Sequence, residues 1–186
     1  MYVYHLDRAH SLKEGQILDL VPLKHKEIYD LKTLDFLNPL PNNLLVSGFS
    51  AVSLFMSNMC KIPFPNHSCG IEDKAEGIRR ALFKEKPSRV TSMFGVLQIS
   101  DLDKWRKVFD ETKSPYDNRK IPIWKIECES CSQEFDASFL RGRYYDWNHD
   151  EIESLINYWK GIKSFDFLPE VLIPLPAKVI SLAGYF

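Results

Sequence analysis

Three polar groups stand out in this chain against apolar surroundings. His5 interrupts the opening run Tyr2-Val3-Tyr4-His5-Leu6, and Glu170 heads the late run Glu170-Val171-Leu172-Ile173-Pro174. A buried strand has little use for an imidazole or a carboxylate without a partner. One such group at the edge of each run therefore points to two strands that share a site. Between them lies Pro87-Ser88-Arg89-Val90-Thr91-Ser92-Met93-Phe94. The Arg89 guanidinium can grip a pyrophosphate through two parallel bonds, while Ser88, Thr91 and Ser92 offer short hydroxyls to a ribose or phosphate. On an extended chain Ser88, Val90 and Ser92 share one face, and Arg89 and Thr91 the other. They can act together if Ser88 and Arg89 lie in the loop before the strand.

The elements that must position these groups can be read along the chain. Tyr2 to Leu6 reads as a first strand. From Leu12 to Asn43 the pattern loosens around Pro22, Pro39 and Pro41, with a helix expected over Lys24 to Leu37. Val52, Phe55, Met56 and Met59 predict a buried helix over Ala51 to Met59, and Lys61 to Gly70 is a loop. Ala75, Ile78 and Leu82 form one stripe of a helix over Glu72 to Phe83, which Pro87 closes off. Val90 to Ile99 reads as a central strand, followed by a capping box at Ser100 and Asp103 and a short helix supported by Leu102, Trp105, Arg106 and Phe109. Ile121 to Cys128 alternates as another strand. Asn148 with Glu151 caps a helix over Glu151 to Lys160, whose apolar face is Ile152, Leu155, Ile156 and Trp159. Val171 to Ile173 and Val179 to Leu182 read as two terminal strands joined by a bend at Pro174 and Pro176. The sum is an α+β fold with helices concentrated in the N-terminal half and no regular βαβ alternation.

Composition bounds the rest. A chain of 186 residues with 45% apolar side chains can build one sizeable core, so a single domain over residues 1–186 is expected. The balance of 24 basic against 25 acidic residues excludes a broad polyanion-binding surface. No basic opening segment leads into a long apolar run, and no window approaches the length of a bilayer span, so a cytoplasmic protein with no membrane partner is expected. Cys60, Cys69, Cys128 and Cys131 are too few for a disulfide scaffold and read as free thiols without metal. The CxxC spacing of Cys128 and Cys131 keeps a zinc-stabilised adaptor as an alternative. The chain contains no GxxxxGK[ST] loop and no GxGxxG fingerprint.

Taken in order, the opening histidine, the central Ser/Arg cluster and the late glutamate resemble the NAD+ site of ADP-ribosyltransferases, in the branch whose first signature residue is histidine. Glu170 followed by aliphatics and Pro174 is similar to that family's catalytic-glutamate strand. The stretch from Glu76-Gly77-Ile78-Arg79-Arg80 through Arg89 and Phe94 also resembles small bacterial transferase-like proteins. The resemblance implies a split β-sheet core and a glycosyltransferase reaction that uses NAD+ as co-substrate, without metal. It implies Glu170 as the catalytic residue, binding a ribose hydroxyl and steadying positive charge on the sugar as nicotinamide departs. It implies dinucleotide contacts from His5 to a ribose hydroxyl, from the Leu6 backbone to the nicotinamide amide, and from Arg8, Ser88, Arg89, Ser92 and Phe94.

Two departures from the family pattern carry information. The branch places an aromatic hydroxyl on the central strand, where this chain has Phe94; Tyr116, Tyr144 or Tyr145 could supply the ring from elsewhere. Members that modify arginine carry an acid two positions before the catalytic glutamate, and here Leu168 stands there, which disfavours an arginine acceptor. A nucleic acid, RNA or DNA, or another protein side chain is then the expected acceptor. The setting implied is an intracellular toxin or antiphage effector with a cognate antitoxin. The rival expectation is a non-catalytic module on the same fold that binds a protein or nucleic acid. Asp7 reads as a surface acid or a local cap.

Overall fold

A computed structural model of the chain describes residues 1–8, 10–22, 45–47, 71–112, 120–140 and 149–186. In order, these form β1 (Tyr2–Leu6), β2 (Ile17–Leu18), β3 (Leu20–Pro22), β4 (Leu45–Ser47) and α1 (Ile71–Leu82). A 3-10 turn (Arg89–Thr91) leads into β5 (Ser92–Gly95), and a second (Ile99–Asp101) into α2 (Leu102–Thr112). Then come β6 (Pro122–Cys128), β7 (Phe135–Asp136), a 3-10 turn (Ala137–Leu140), α3 (His149–Lys160), β8 (Pro169–Pro174) and β9 (Ala177–Tyr185). The fold is mixed α and β with antiparallel sheets. The helices expected over Lys24–Leu37 and Ala51–Met59 lie outside the described residues. Of the described helices, α2 and α3 fall in the second half of the chain. No helix among the described residues is long and apolar enough to cross a membrane.

Two sheets organise the core. The first has the order β1-β6-β9-β2, the second β5-β8-β7, and β3 pairs with β4 separately. β8 shows how they stack, because an apolar run can be buried on both faces only if each face meets its own core. Val171 and Ile173 join Met93 of β5 against Val3, Ile126 and Val179 of the first sheet. Leu172 points the other way, to Phe135, to Ile71, Ala75 and Ile78 of α1, and to Leu155, Tyr158 and Trp159 of α3. All three β8 side chains are fully buried, each contributing about 1.5–3 kcal/mol. A third cluster covers the outer face of the first sheet, where Leu102 and Trp105 of α2 meet Tyr4, Leu6, Val96 and Ile123.

Among the described residues, backbone pairing joins the two sheets at one crossing. Gly95 still pairs with Val171 of β8, and the next residue, Val96, exchanges two 2.9 Å backbone bonds with Tyr4 of β1. A Cβ on residue 95 would sit 2.8 Å from the Tyr4 carbonyl oxygen, so only glycine permits this approach. The strand expected over Val90–Ile99 is therefore shorter. Ser88 accepts a 3.2 Å bond from the Val90 N–H and starts the 3-10 turn before β5, and the change of partner at Gly95 ends the ladder. Ser100 lies inside the turn that runs into α2 rather than at a cap position.

Helix ends follow local chemistry. Arg79 and Arg80 occupy the last turn of α1, where cations oppose the helix dipole. The first turn of α3 carries Asp150 and Glu151, and its last turn closes on Gly161 at φ 73°. Gly161 N–H donates to Tyr158 O (2.9 Å) and Ile162 N–H to Asn157 O (3.1 Å), a Schellman termination. Asn148, the expected cap, lies outside the described residues.

Candidate functional site

The first residue of interest on β8 is Glu170, and the second-sheet register sets its direction. It pairs with Phe135 and alternates with Val171, so its side chain joins Leu172 on the face toward α1 and α3. There it meets Arg89, held in the turn before β5, and Tyr158, delivered by the third turn of α3. Arg89 Nη1 donates to Glu170 Oε1 in a short ion pair and to Tyr158 Oη at 2.6 Å; Tyr158 Oη donates to the same Oε1 at 2.8 Å. Among the described residues no hydrogen bond reaches Oε2 of Glu170. The guanidinium also lies over the Phe94 ring at 4.6 Å and the Tyr158 ring at 5.3 Å. Glu170 is 6% exposed and Arg89 4%, so both charges sit out of water. Breaking such a pair by removing one partner costs about 3–5 kcal/mol.

His5 lies on the other side of this ladder. It shares a strand face with Val3, and its register partner Trp124 packs on the core between the sheets. His5 Nδ1 donates to the Phe94 carbonyl at 2.7 Å. Burial drives its pKa below the ordinary histidine value, outweighing that bond and the nearby Asp7 charge. The neutral ring carries its proton at Nδ1, which leaves Nε2 in the acceptor form. Phe94 thus joins the two halves: its carbonyl holds His5, and its ring carries Arg89.

The remaining sequence-derived candidates separate. Ser88 starts the turn that carries Arg89, and its hydroxyl lies near the buried Glu76 on α1. Burial pushes the Glu76 carboxyl up, but the bonds and charge of Arg79, with the bond from Arg80, prevail and hold it below the usual carboxylate range. Ser92 is fully buried at the start of β5, opposite Pro174. Leu6 faces α2, and its carbonyl accepts the Arg8 N–H at 3.1 Å; Arg8 is exposed in the turn that follows. Asp7 is a buried local cap, accepting from the Ser11 and Leu12 N–H groups at 3.1 and 2.8 Å. The structure thus brings together Ser88, Arg89, Phe94 and Glu170, with His5 at the Phe94 carbonyl.

Tyr158 is the residue that sequence reading missed. Tyr116, Tyr144 and Tyr145 lie outside the described residues, and the phenol at the cluster comes from α3. Its signal was present: Tyr158 stands three residues after Leu155, on the stripe already assigned to the core. A second ion pair, Lys74 to Glu151 at 3.1 Å, ties α1 to α3 and is also buried. Cys128 and Cys131 are free, and burial pushes both thiols up. Among the described residues no three His, Cys, Asp or Glu side chains gather into a metal site; Cys60 and Cys69 fall outside them.

No curated protein matches the chain. One family model matches residues 3–183, nearly the full length, and the chain belongs to that family, described as a protein of unknown function (DUF2441).

Proposed function

We propose that this protein is an ADP-ribosyltransferase that takes NAD+ and moves ADP-ribose to a macromolecular acceptor, a nucleic acid or a protein side chain other than arginine, as an intracellular toxin or antiphage effector restrained by an antitoxin. The observation that carries the reading is Glu170. It heads its strand with one oxygen held by Arg89 and Tyr158 and the other without a protein donor among the described residues. A carboxylate fixed in this way can accept a ribose hydroxyl through Oε2 and set negative charge beside the sugar as nicotinamide leaves. Arg89 supplies a guanidinium suited to the pyrophosphate, and the family resemblance gives His5 a ribose hydroxyl. The test is nicotinamide release from NAD+ in a cell lysate. Glu170→Gln with retained fold should abolish release; undiminished release removes Glu170 from the chemistry.

A second reading is favoured by one observation. Glu170 and His5 lie on opposite faces of the β5–β8 ladder, and Arg89 already neutralises the carboxylate. That is the arrangement of a non-catalytic module in which the ion pair fixes the fold. Calorimetry with NAD+ separates the two, because such a module yields no binding heat.

A further inference from the structure

The placement of Arg89 raises a question that the transferase reading leaves open. A guanidinium paired with Glu170 is not engaged with a phosphate, and a carboxylate paired with Arg89 is partly blocked. We propose that the Arg89–Glu170 ion pair is a closed latch, opened when a pyrophosphate-bearing ligand draws Arg89 away from Glu170. The role of the freed carboxylate rests on the reading above; the latch itself does not.

Three features support exchange rather than a permanent brace. First, both side-chain donors end on Oε1, and Tyr158 donates there through its own hydroxyl proton, although that hydroxyl also accepts from Arg89. When the guanidinium leaves, Glu170 keeps one hydrogen bond and its orientation. Second, the guanidinium lies against two aromatic faces, Phe94 and Tyr158, which hold a cation without fixing its direction in the ring plane. A turn toward a new anion that keeps the guanidinium on these faces would preserve both ring contacts. Third, a buried guanidinium cannot be left unpaired, so the displacing group must itself be anionic and match the planar fork. Pyrophosphate meets both conditions; a neutral or cationic nucleoside such as nicotinamide riboside meets neither. The latch therefore selects anionic ligands, pyrophosphate among them, over neutral or cationic nucleosides before any ribose is engaged.

Inorganic pyrophosphate is the probe, titrated calorimetrically into the full chain. In wild type the carboxylate competes for Arg89. Glu170→Gln removes the competing charge while keeping an acceptor, and should tighten pyrophosphate binding about tenfold. Arg89→Gln should abolish binding, and nicotinamide riboside should not bind wild type. Equal pyrophosphate affinity in wild type and Glu170→Gln, or retained binding in Arg89→Gln, overturns the latch. If Glu170→Gln loses its fold by circular dichroism, the Arg89 Nε–Hε resonance of wild type, assigned by its loss in Arg89→Lys, gives the answer. It should shift with pyrophosphate, and a fixed resonance overturns the proposal. The two ideas fail separately. The expected pyrophosphate pattern without nicotinamide release from NAD+ removes the transferase and leaves the latch, whereas nicotinamide release with unchanged affinity in Glu170→Gln does the reverse.

Discussion

Asp136 and Glu170 lie one residue pair apart on the β7–β8 ladder, where Phe135 faces Glu170 and Asp136 faces Pro169. Both carboxylates are buried, and they are satisfied in opposite ways. Asp136 accepts from the backbone N–H groups of Ser138 (3.0 Å), Ser164 (2.7 Å) and Leu168 (2.9 Å), using both oxygens. Burial pushes its pKa up, and these bonds reverse the effect and hold it below the ordinary value. Glu170 instead takes two side-chain donors on one oxygen, from residues 81 and 12 positions away. Main-chain donors cannot leave without unfolding the loop they belong to. Side-chain donors can rotate away. Asp136 thus ties the segment between α3 and β8, while Glu170 has partners that a ligand can replace.

The largest expected effect is on the tied acid. Asp136→Ala should destabilise by about 4 kcal/mol in urea unfolding at pH 7, since three N–H groups lose their acceptor. The folded pKa of Asp136 lies below the unfolded one, so the unfolded chain binds more protons as the pH falls. Its contribution is complete above about pH 4 and is lost as the pH drops through the folded value. Asp136→Asn should flatten that acid limb in a pH series of unfolding midpoints; an unchanged limb would assign it to Glu76 instead. Next comes Arg89→Met, which should cost about 3 kcal/mol by leaving Glu170 unpaired, whereas Arg89→Met with Glu170→Leu should return to within about 1 kcal/mol of wild type. A double variant as unstable as the single would make the pair a structural brace and erase the contrast with Asp136. Tyr158→Phe removes one bond to Oε1 and should cost about 1 kcal/mol by thermal unfolding. The smallest effect concerns His5, whose pKa is lowered by burial. Stability should fall as the pH drops below about 6.5, because the unfolded chain takes up the proton first. His5→Gln should reduce the difference between unfolding midpoints at pH 7 and pH 5.5.

Much of the scaffold was legible because periodicity reports burial. β1, β6, β8 and β9 and the three described helices fall where alternation and helical stripes predict them, within a few residues. The pieces that were not legible depend on partners far along the chain. β7 is two residues long and exists because β8 lies beside it. The run Val90–Ile99 has strand composition throughout, but composition carries no sign that Val96 leaves β8 for β1. At the site, Glu170 and Arg89 were visible as charges in apolar surroundings, yet nothing local says that they pair with each other. Tyr158 was hidden by its own suitability for a core, since a phenol on an apolar stripe looks like packing until its hydroxyl finds Glu170.

Gly95 gives the crossing a further meaning. Its neighbour across one ladder is Val171, next to Glu170, and the carbonyl crowding it belongs to Tyr4, next to His5. The imidazole and the carboxylate are each one step from the same absent side chain. Residue 95 therefore works as a clasp that sets how far apart the two halves stand, and adding one methyl group there would wedge them open without touching either.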